Sequence, residues 1–321
     1  MTRTVKLLAR IQYEPITCKT ILNEVKAPSM PFEKSINPYR GCQHGCSFCY
    51  ARSTHSFLGL EADDSFQNHI LLKANAAEAL EQQVKRAARS GKPIGRIAIG
   101  TATDPYQPIE AKMQLTRQCL EVLAKHRLPT SITTRSPLIL RDLDLLKEIP
   151  ITSVNISIST LDRGVWRNLE PATPFPMKRL ETVQRLTEAG VPAGIFMAPI
   201  LPLLTDRLED LTELIQQAVA HKAQFVMASY LRLSTSAVKV WFFETLRRHY
   251  PELVPAYADM YAGSAKAPRH YRDPIQAEIH SLLTRHGLHA KEPLQSSKVG
   301  VQETVLRIEK EFEPVQLTLP I

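Results

Sequence analysis

The sequence predicts an α/β fold, either a partial (β/α) barrel or a doubly wound parallel sheet. Three observations predict it. Short apolar, β-branched runs alternate with helical stretches between residues 74 and 231. Those runs are the kind that lie buried on both faces of a parallel sheet. A length of 321 residues, 44% of them hydrophobic, with a mean hydropathy of −0.17, supplies one barrel-sized core or two ordinary ones.

Residues 1–34, with Pro15, Pro28 and Pro31, read as an irregular arm. ANAAEALEQQVKRAAR (74–89) has helical composition and period, and SGKP ends it. IGRIAIG (94–100) is a buried strand; the polar loop TDPYQP follows, then a helix over 111–126. TSITTRS (130–136) is the next strand and PLILRDLDLLKEI (137–149) its helix. SVNISIST (153–160) is a strand; the segment 174–190 starts a helix with prolines and stops it at Gly190. PAGIFMAPIL (192–201) is a strand, 206–221 a helix and AQFVMASYL (223–231) the last strand. Beyond residue 232 the pattern is helical, at 236–250 and 273–287. The expected division is an arm over 1–34, a barrel over 35–232, a helical extension over 233–290 and a tail over 291–321. No glycine fingerprint for a dinucleotide follows the first strand.

No stretch approaches the apolar length of a membrane span, and no signal peptide is read at the start. Five cysteines, three of them clustered, point to a reducing, cytoplasmic setting and a metal or cluster site, not a disulfide framework. Cys18 and Cys119 read as ordinary buried thiols. The net charge of +8 and pI near 9.2 lean weakly toward polyanionic partners.

The cysteine run lies in NPYRGCQHGCSFCYAR (37–52), with spacing C-x3-C-x2-C. A cubane iron–sulfur cluster takes one thiolate per iron, so three cysteines leave one iron open for a small molecule. Gly41 and Gly45 suit the left-handed turns such a loop needs. Zinc prefers closed four-ligand sites; His44 as a fourth ligand would crowd between Cys42 and Cys46.

This spacing, with an aromatic before the last cysteine, resembles the signature of the radical S-adenosylmethionine superfamily. The resemblance implies a partial (β/α)6 TIM-like barrel and a 4Fe–4S cluster on Cys42, Cys46 and Cys49. S-adenosylmethionine would bind the open iron and yield a 5′-deoxyadenosyl radical, with flavodoxin or ferredoxin as the electron donor. TATDPYQPIE (101–110), TTRS (133–136), SVNISISTLD (153–162) and the LEP segment at 169–192 narrow the resemblance. Together they resemble the spore-photoproduct-lyase-like branch, often labelled DNA repair photolyase. That branch implies cofactor contacts at Thr101, Thr103, Asp104 and Arg135. A guanidinium at Arg135 suits bidentate capture of a carboxylate. Period-2 alternation puts Asn155, Ser157 and Ser159 on one strand face, the first two toward the ribose. Glu170 would meet cofactor or substrate. Tyr50 would take part in the chemistry; Tyr39, Arg40 and Arg52 also flank the loop.

Two departures set the chain apart from true spore photoproduct lyases. The hydrogen-donor cysteine of those enzymes is replaced by Thr101, whose O–H bond is too strong for the task. Their tyrosine pair is reduced to Tyr50, with Phe48 in the partner's place. Thymine-dimer repair is therefore not assigned. Three functions remain: a radical enzyme acting on DNA, one modifying RNA, a peptide or a metabolite, and a nucleic-acid binder whose cluster is structural or redox-sensing. Residues 241–274 interleave aromatics with cations, and KAPRHYR (266–272) is a candidate phosphate-contacting surface. The ending QLTLPI, Gln316 to Ile321, resembles peptides that dock on the bacterial sliding clamp.

Overall fold

The computed structural model describes residues 11–27, 30–58 and 63–289, without the side chains of 55–58. The 291–321 tail and its clamp-like ending lie outside the described residues. The strands in chain order are β1 Gln12–Ile16, β2 Leu22–Glu24, β3 Lys34–Ile36, β4 Tyr39–Arg40 and β5 His69–Lys73. They continue as β6 Ile97–Ile99, β7 Thr130–Thr134, β8 Ile151–Ser157, β9 Ala193–Ile200 and β10 Val226–Tyr230.

The larger sheet has the order β10-β9-β8-β7-β6-β3-β2. From β3 to β10 every neighbouring pair is parallel; only β2 runs antiparallel, beside β3. Six parallel strands with helices between them make the partial (β/α)6 barrel. The fold thus resolves the choice left open by the strand–helix alternation. A smaller sheet, β1-β5-β4, leads into the cysteine loop.

Alternation along the strands separates two environments. Ile36, Ile97, Ile99, Ile132, Val154 and Ile156 belong to one apolar cluster with helical residues such as Leu80, Leu120, Leu180 and Val183. Each such side chain, at 0–1% exposure for the strand residues, contributes about 1.5–3 kcal/mol over an exposed one. The opposite strand face carries Ser35, Ala98, Ser131, Thr133, Asn155 and Ser157. A closed barrel fills this position with bulky branched side chains. On β3 and β6–β8 the residues are small or polar, and Ser131 and Thr133 stay partly exposed on a central strand, while Phe196 on β9 and Met227 on β10 are bulky. The inner face of β3 and β6–β8 is therefore small or polar where the outer face is apolar.

Several elements differ from expectation. The described part of the arm holds strands: β1 pairs in parallel with β5, and β2 antiparallel with β3. Its strands are short and exposed, so they lack the apolar run that marks a buried strand. The helix expected over 111–126 breaks at Gln114 (φ 54°) into Glu110–Met113 and Leu115–Lys125. The helix expected over 137–149 is 3-10 over Pro137–Asp142 before it becomes α over Leu143–Glu148. Beyond β10 the main elements are the helices Ser236–His249, Val254–Met260 and Arg269–His286. Phe242, Tyr257 and Tyr261 are fully buried there, so these aromatics pack a core.

Candidate active site

β4 delivers the chain to the cysteine loop at Gly41, whose φ is +82°. A Cβ there would lie 2.7 Å from the His69 carbonyl oxygen and 2.9 Å from that of Phe66. Only glycine lets the loop lie this close to β5. Gly45, at φ +59°, makes the second tight turn. Cys42 N donates to Phe66 O at 2.8 Å and Ser47 N to Leu169 O at 2.9 Å, anchoring the loop at both ends. Cys42 and Cys46 are buried; Cys49 is half-buried.

The three thiols feel one another's charge. Burial pushes Cys42 up, and Asp104, Cys46 and Cys49 add to it. Burial pushes Cys46 up to about 12 against the pull of Arg135. Iron binding must therefore displace protons from this loop. Among the described residues, no three His, Cys, Asp or Glu side chains converge on a single-ion site. A cubane gives each thiolate its own iron and needs no such convergence.

The TDPYQPIE segment braces this loop, a role its spacing does not reveal. Gln107 spans it: Nε2 donates to Gly41 O at 3.2 Å, and Oε1 accepts from Gln43 N at 3.0 Å. Gln43 Oε1 accepts from Ile109 N at 2.8 Å. Glu110 is fully buried, accepts from Tyr39 OH and pairs with Arg141 at 2.7 Å.

Thr103 and Asp104, expected to meet the cofactor, turn into the protein. Thr103 Oγ1 donates to Tyr39 O at 3.3 Å. Asp104 accepts from Tyr106 N at 2.9 Å, Thr134 Oγ1 at 2.6 Å and Arg135 N at 2.7 Å. His44 Nδ1 is 3.2 Å from Asp104 Oδ2, an ion-pair contact outside hydrogen-bond geometry. Burial pushes the Asp104 carboxyl up, but His44, Thr134 and the Arg135 amide overcome it and hold it at about 2. With its oxygens so occupied, Asp104 organises the turn and ties the cysteine loop to the end of β7.

The other candidates lie on or just past β6, β7 and β8, or just past the cysteine loop. Arg135, just past β7, has its guanidinium 5.9 Å from the Phe48 ring centre and its Nε 3.6 Å from Glu170. Its Nε is buried without a hydrogen-bond partner, as is Asn155 Oδ1. Asn155 Nδ2 donates to Thr133 Oγ1 at 3.2 Å, which holds the amide in place. Tyr50, 52% exposed, donates its phenol to the Thr101 carbonyl. Thr101 Oγ1 accepts from Asn37 Nδ2 at 3.0 Å.

Glu170, expected to reach cofactor or substrate, is 2% exposed and engaged on both oxygens. Oε1 accepts from Ser159 and Oε2 pairs with Arg179 at 2.7 Å. Its second charged neighbour is Arg135, 3.6 Å away. Arg179 also donates to the Ser157 carbonyl at 3.0 Å, so Ser157, 2% exposed, serves the scaffold through its main chain. Neither Arg179 nor Gln107 carries a sequence signal separable from an ordinary helix cation or loop amide.

Comparison with known proteins bears on this geometry. The profile of the Radical SAM superfamily matches residues 36–216. The chain is also 33% identical over 305 residues to the uncharacterized protein Rv2578c of Mycobacterium tuberculosis, covering 92% of this chain and 88% of that one. The chain belongs to the radical SAM superfamily. Radical SAM proteins bind a 4Fe–4S cluster and S-adenosylmethionine. A 24% identical relative, the Radical SAM Nalpha-GlyT isomerase of Pseudomonas phage M6, aligns over 77% of this chain and 50% of its own length. The fold is shared with spore photoproduct lyase complexed with dinucleoside spore photoproduct: TM-score 0.65, 18% identity, 85% of this chain and 79% of that one. A second form of that enzyme, with bound AdoMet, matches at a TM-score of 0.60 and 20% identity, covering 85% and 77%.

The residues of this radical SAM chain fit both groups. Three thiols on one braced loop suit the cluster. The unpartnered Arg135 Nε and Asn155 Oδ1 lack a partner that an amino-acid carboxylate and a ribose hydroxyl would supply.

Proposed function

We propose that this radical SAM enzyme abstracts hydrogen from a nucleic acid. The observation that carries the reading is the three-thiol loop with Arg135 beside its Phe48 and with buried, unpartnered atoms on Arg135 and Asn155. Cys42, Cys46 and Cys49 would hold the cluster, and Arg135, just past β7, and Asn155, on β8, would orient S-adenosylmethionine. When bound, the two groups supply a 5′-deoxyadenosyl radical. Glu170, locked by Arg179, keeps the Arg135 guanidinium aimed. Tyr50, half-exposed against Thr101, is the residue assigned to hydrogen transfer at the rim. The burial of Cys42, Cys46 and Asn155 keeps bulk water from the reacting centre.

Nucleic acid is supported by the positive net charge and by cations at the barrel's C-terminal face. Arg163 and Arg167 lie on the helix Arg163–Leu169 after β8. The chain beyond β10, at Arg232, is bridged to Lys266. The fold neighbour bound to a dinucleoside lesion points the same way. A low-potential flavoprotein or ferredoxin would deliver the electron. With Thr101 where the lyases carry a donor cysteine, the reaction differs from theirs in how hydrogen returns to product.

The test is anaerobic reconstitution with dithionite and S-adenosylmethionine, followed by assay for 5′-deoxyadenosine. Release of 5′-deoxyadenosine, with deuterium transferred from labelled DNA, supports the proposal. Deuterium only from RNA, a peptide or a metabolite moves the substrate class. No 5′-deoxyadenosine at all leaves the cluster a structural or sensing role.

A further inference from the structure

Arg52 is 0% exposed, yet among the described residues its hydrogen-bond acceptors are all neutral. Nε donates to Cys46 O at 3.3 Å, and Nη2 to Gly45 O at 3.1 Å and Gln67 Oε1 at 2.8 Å. Nη1 donates to Asp63 O at 2.7 Å. The guanidinium carbon lies 4.2 Å from the Trp241 ring centre and 5.4 Å from that of Phe66. Trp241 comes from the helix Ser236–His249, beyond the barrel. The same helix packs Val238, Phe242 and Leu246 into one apolar cluster with Cys46 and Phe48.

Withdrawing a cation from water costs several kcal/mol, which neutral acceptors and ring faces offset only in part. The remaining compensation must be negative charge nearby. A cluster held by three thiolates is anionic and gains a further negative charge on reduction. A fixed cation under the loop therefore favours the reduced state more than the oxidised one.

We propose that Arg52 is a positioning residue with two tasks: its fork fixes the Gly45 and Cys46 carbonyls, and its charge raises the cluster's reduction midpoint. Trp241 covers it, which makes the helix Ser236–His249 a wall of the cluster site. This rests on the superfamily's cluster and is independent of the substrate.

The test uses the full chain, reconstituted anaerobically without S-adenosylmethionine. The midpoint is read by a potentiometric titration followed by electron paramagnetic resonance. Iron content, iron release to a chelator and melting of the iron-free protein are measured alongside. In Arg52→Met the reduced-to-oxidised ratio at a fixed potential falls about tenfold, equivalent to about 59 mV for one electron. Arg52→Lys keeps that ratio near wild type but releases iron faster, because a point charge replaces the fork. Trp241→Leu leaves the midpoint in place and speeds bleaching in air. A loaded Arg52→Met with an unshifted midpoint overturns the charge task. If Arg52→Met takes up no cluster, Arg52→Lys decides: unchanged iron release overturns the clamp. A wild-type chain that assembles no cluster refutes the cofactor assignment instead.

Discussion

Removing the cation of Arg179 should destabilise the protein more than most single substitutions. Arg179 Nη2 is 2.7 Å from Glu170 Oε2, and the two side chains are 1% and 2% exposed. Arg179→Met leaves Glu170 buried, with Arg135 at 3.6 Å as a weaker partner. Breaking a buried pair from one side costs about 3–5 kcal/mol. A separate route gives a similar size. Burial pushes the Glu170 carboxyl up, but Arg179, Arg135 and Ser159 hold it at about 2, where 4.5 is ordinary. That difference is equivalent to about 3 kcal/mol. Because the folded carboxyl titrates below the unfolded one, the contribution is present above about pH 4.5 and is lost as the pH falls toward 2. The assay is urea unfolding of the iron-free protein at pH 7 and pH 3. Arg179→Met should lose about 3–5 kcal/mol at pH 7 and clearly less at pH 3. Combining it with Glu170→Gln should recover a large part of the loss, since no unpaired charge remains. Losses that simply add, or that ignore pH, would refute the reasoning.

Gly41→Ala should abolish iron loading while the rest of the chain still folds; its Cβ would meet the His69 carbonyl at 2.7 Å, and iron per chain after reconstitution checks this. Gln107→Leu strips the bridge between Gly41 and Gln43, costs about 1–3 kcal/mol in unfolding experiments and speeds iron loss to a chelator. Arg135→Lys keeps charge but loses the two-pronged donor, so equilibrium binding of S-adenosylmethionine should weaken about tenfold while cluster content is unchanged. Equal affinity would remove Arg135 from the cofactor site.

The strand–helix alternation was legible because, of the six parallel strands, β7–β10 run five to eight residues and the three-residue Ile97–Ile99 is wholly apolar. The first, Lys34–Ile36, is three residues long and follows a proline-rich arm, so no periodicity marks it. Asn155 and Ser157 could be placed on an inner face by alternation alone, with Val154 and Ile156 in the apolar core behind them. The direction of Asp104 could not. A carboxylate in a turn can point at a ligand or at its own neighbours, and here three donors of the protein claim it. Gln107 and Glu110 sit in a motif that reads as cofactor-binding, but their partners are main-chain groups and buried side chains separated in sequence. Arg52 and Trp241 meet across most of the chain, and nothing in local composition joins them.

The ring of parallel strands stops at β10, where Ala228 and Ser229 face outward, and never rejoins β3. A complete ring admits only what can drop through its upper opening. This one does not close, so for the polymer substrate proposed above a single unit would reach the reacting centre without a free end having to be threaded.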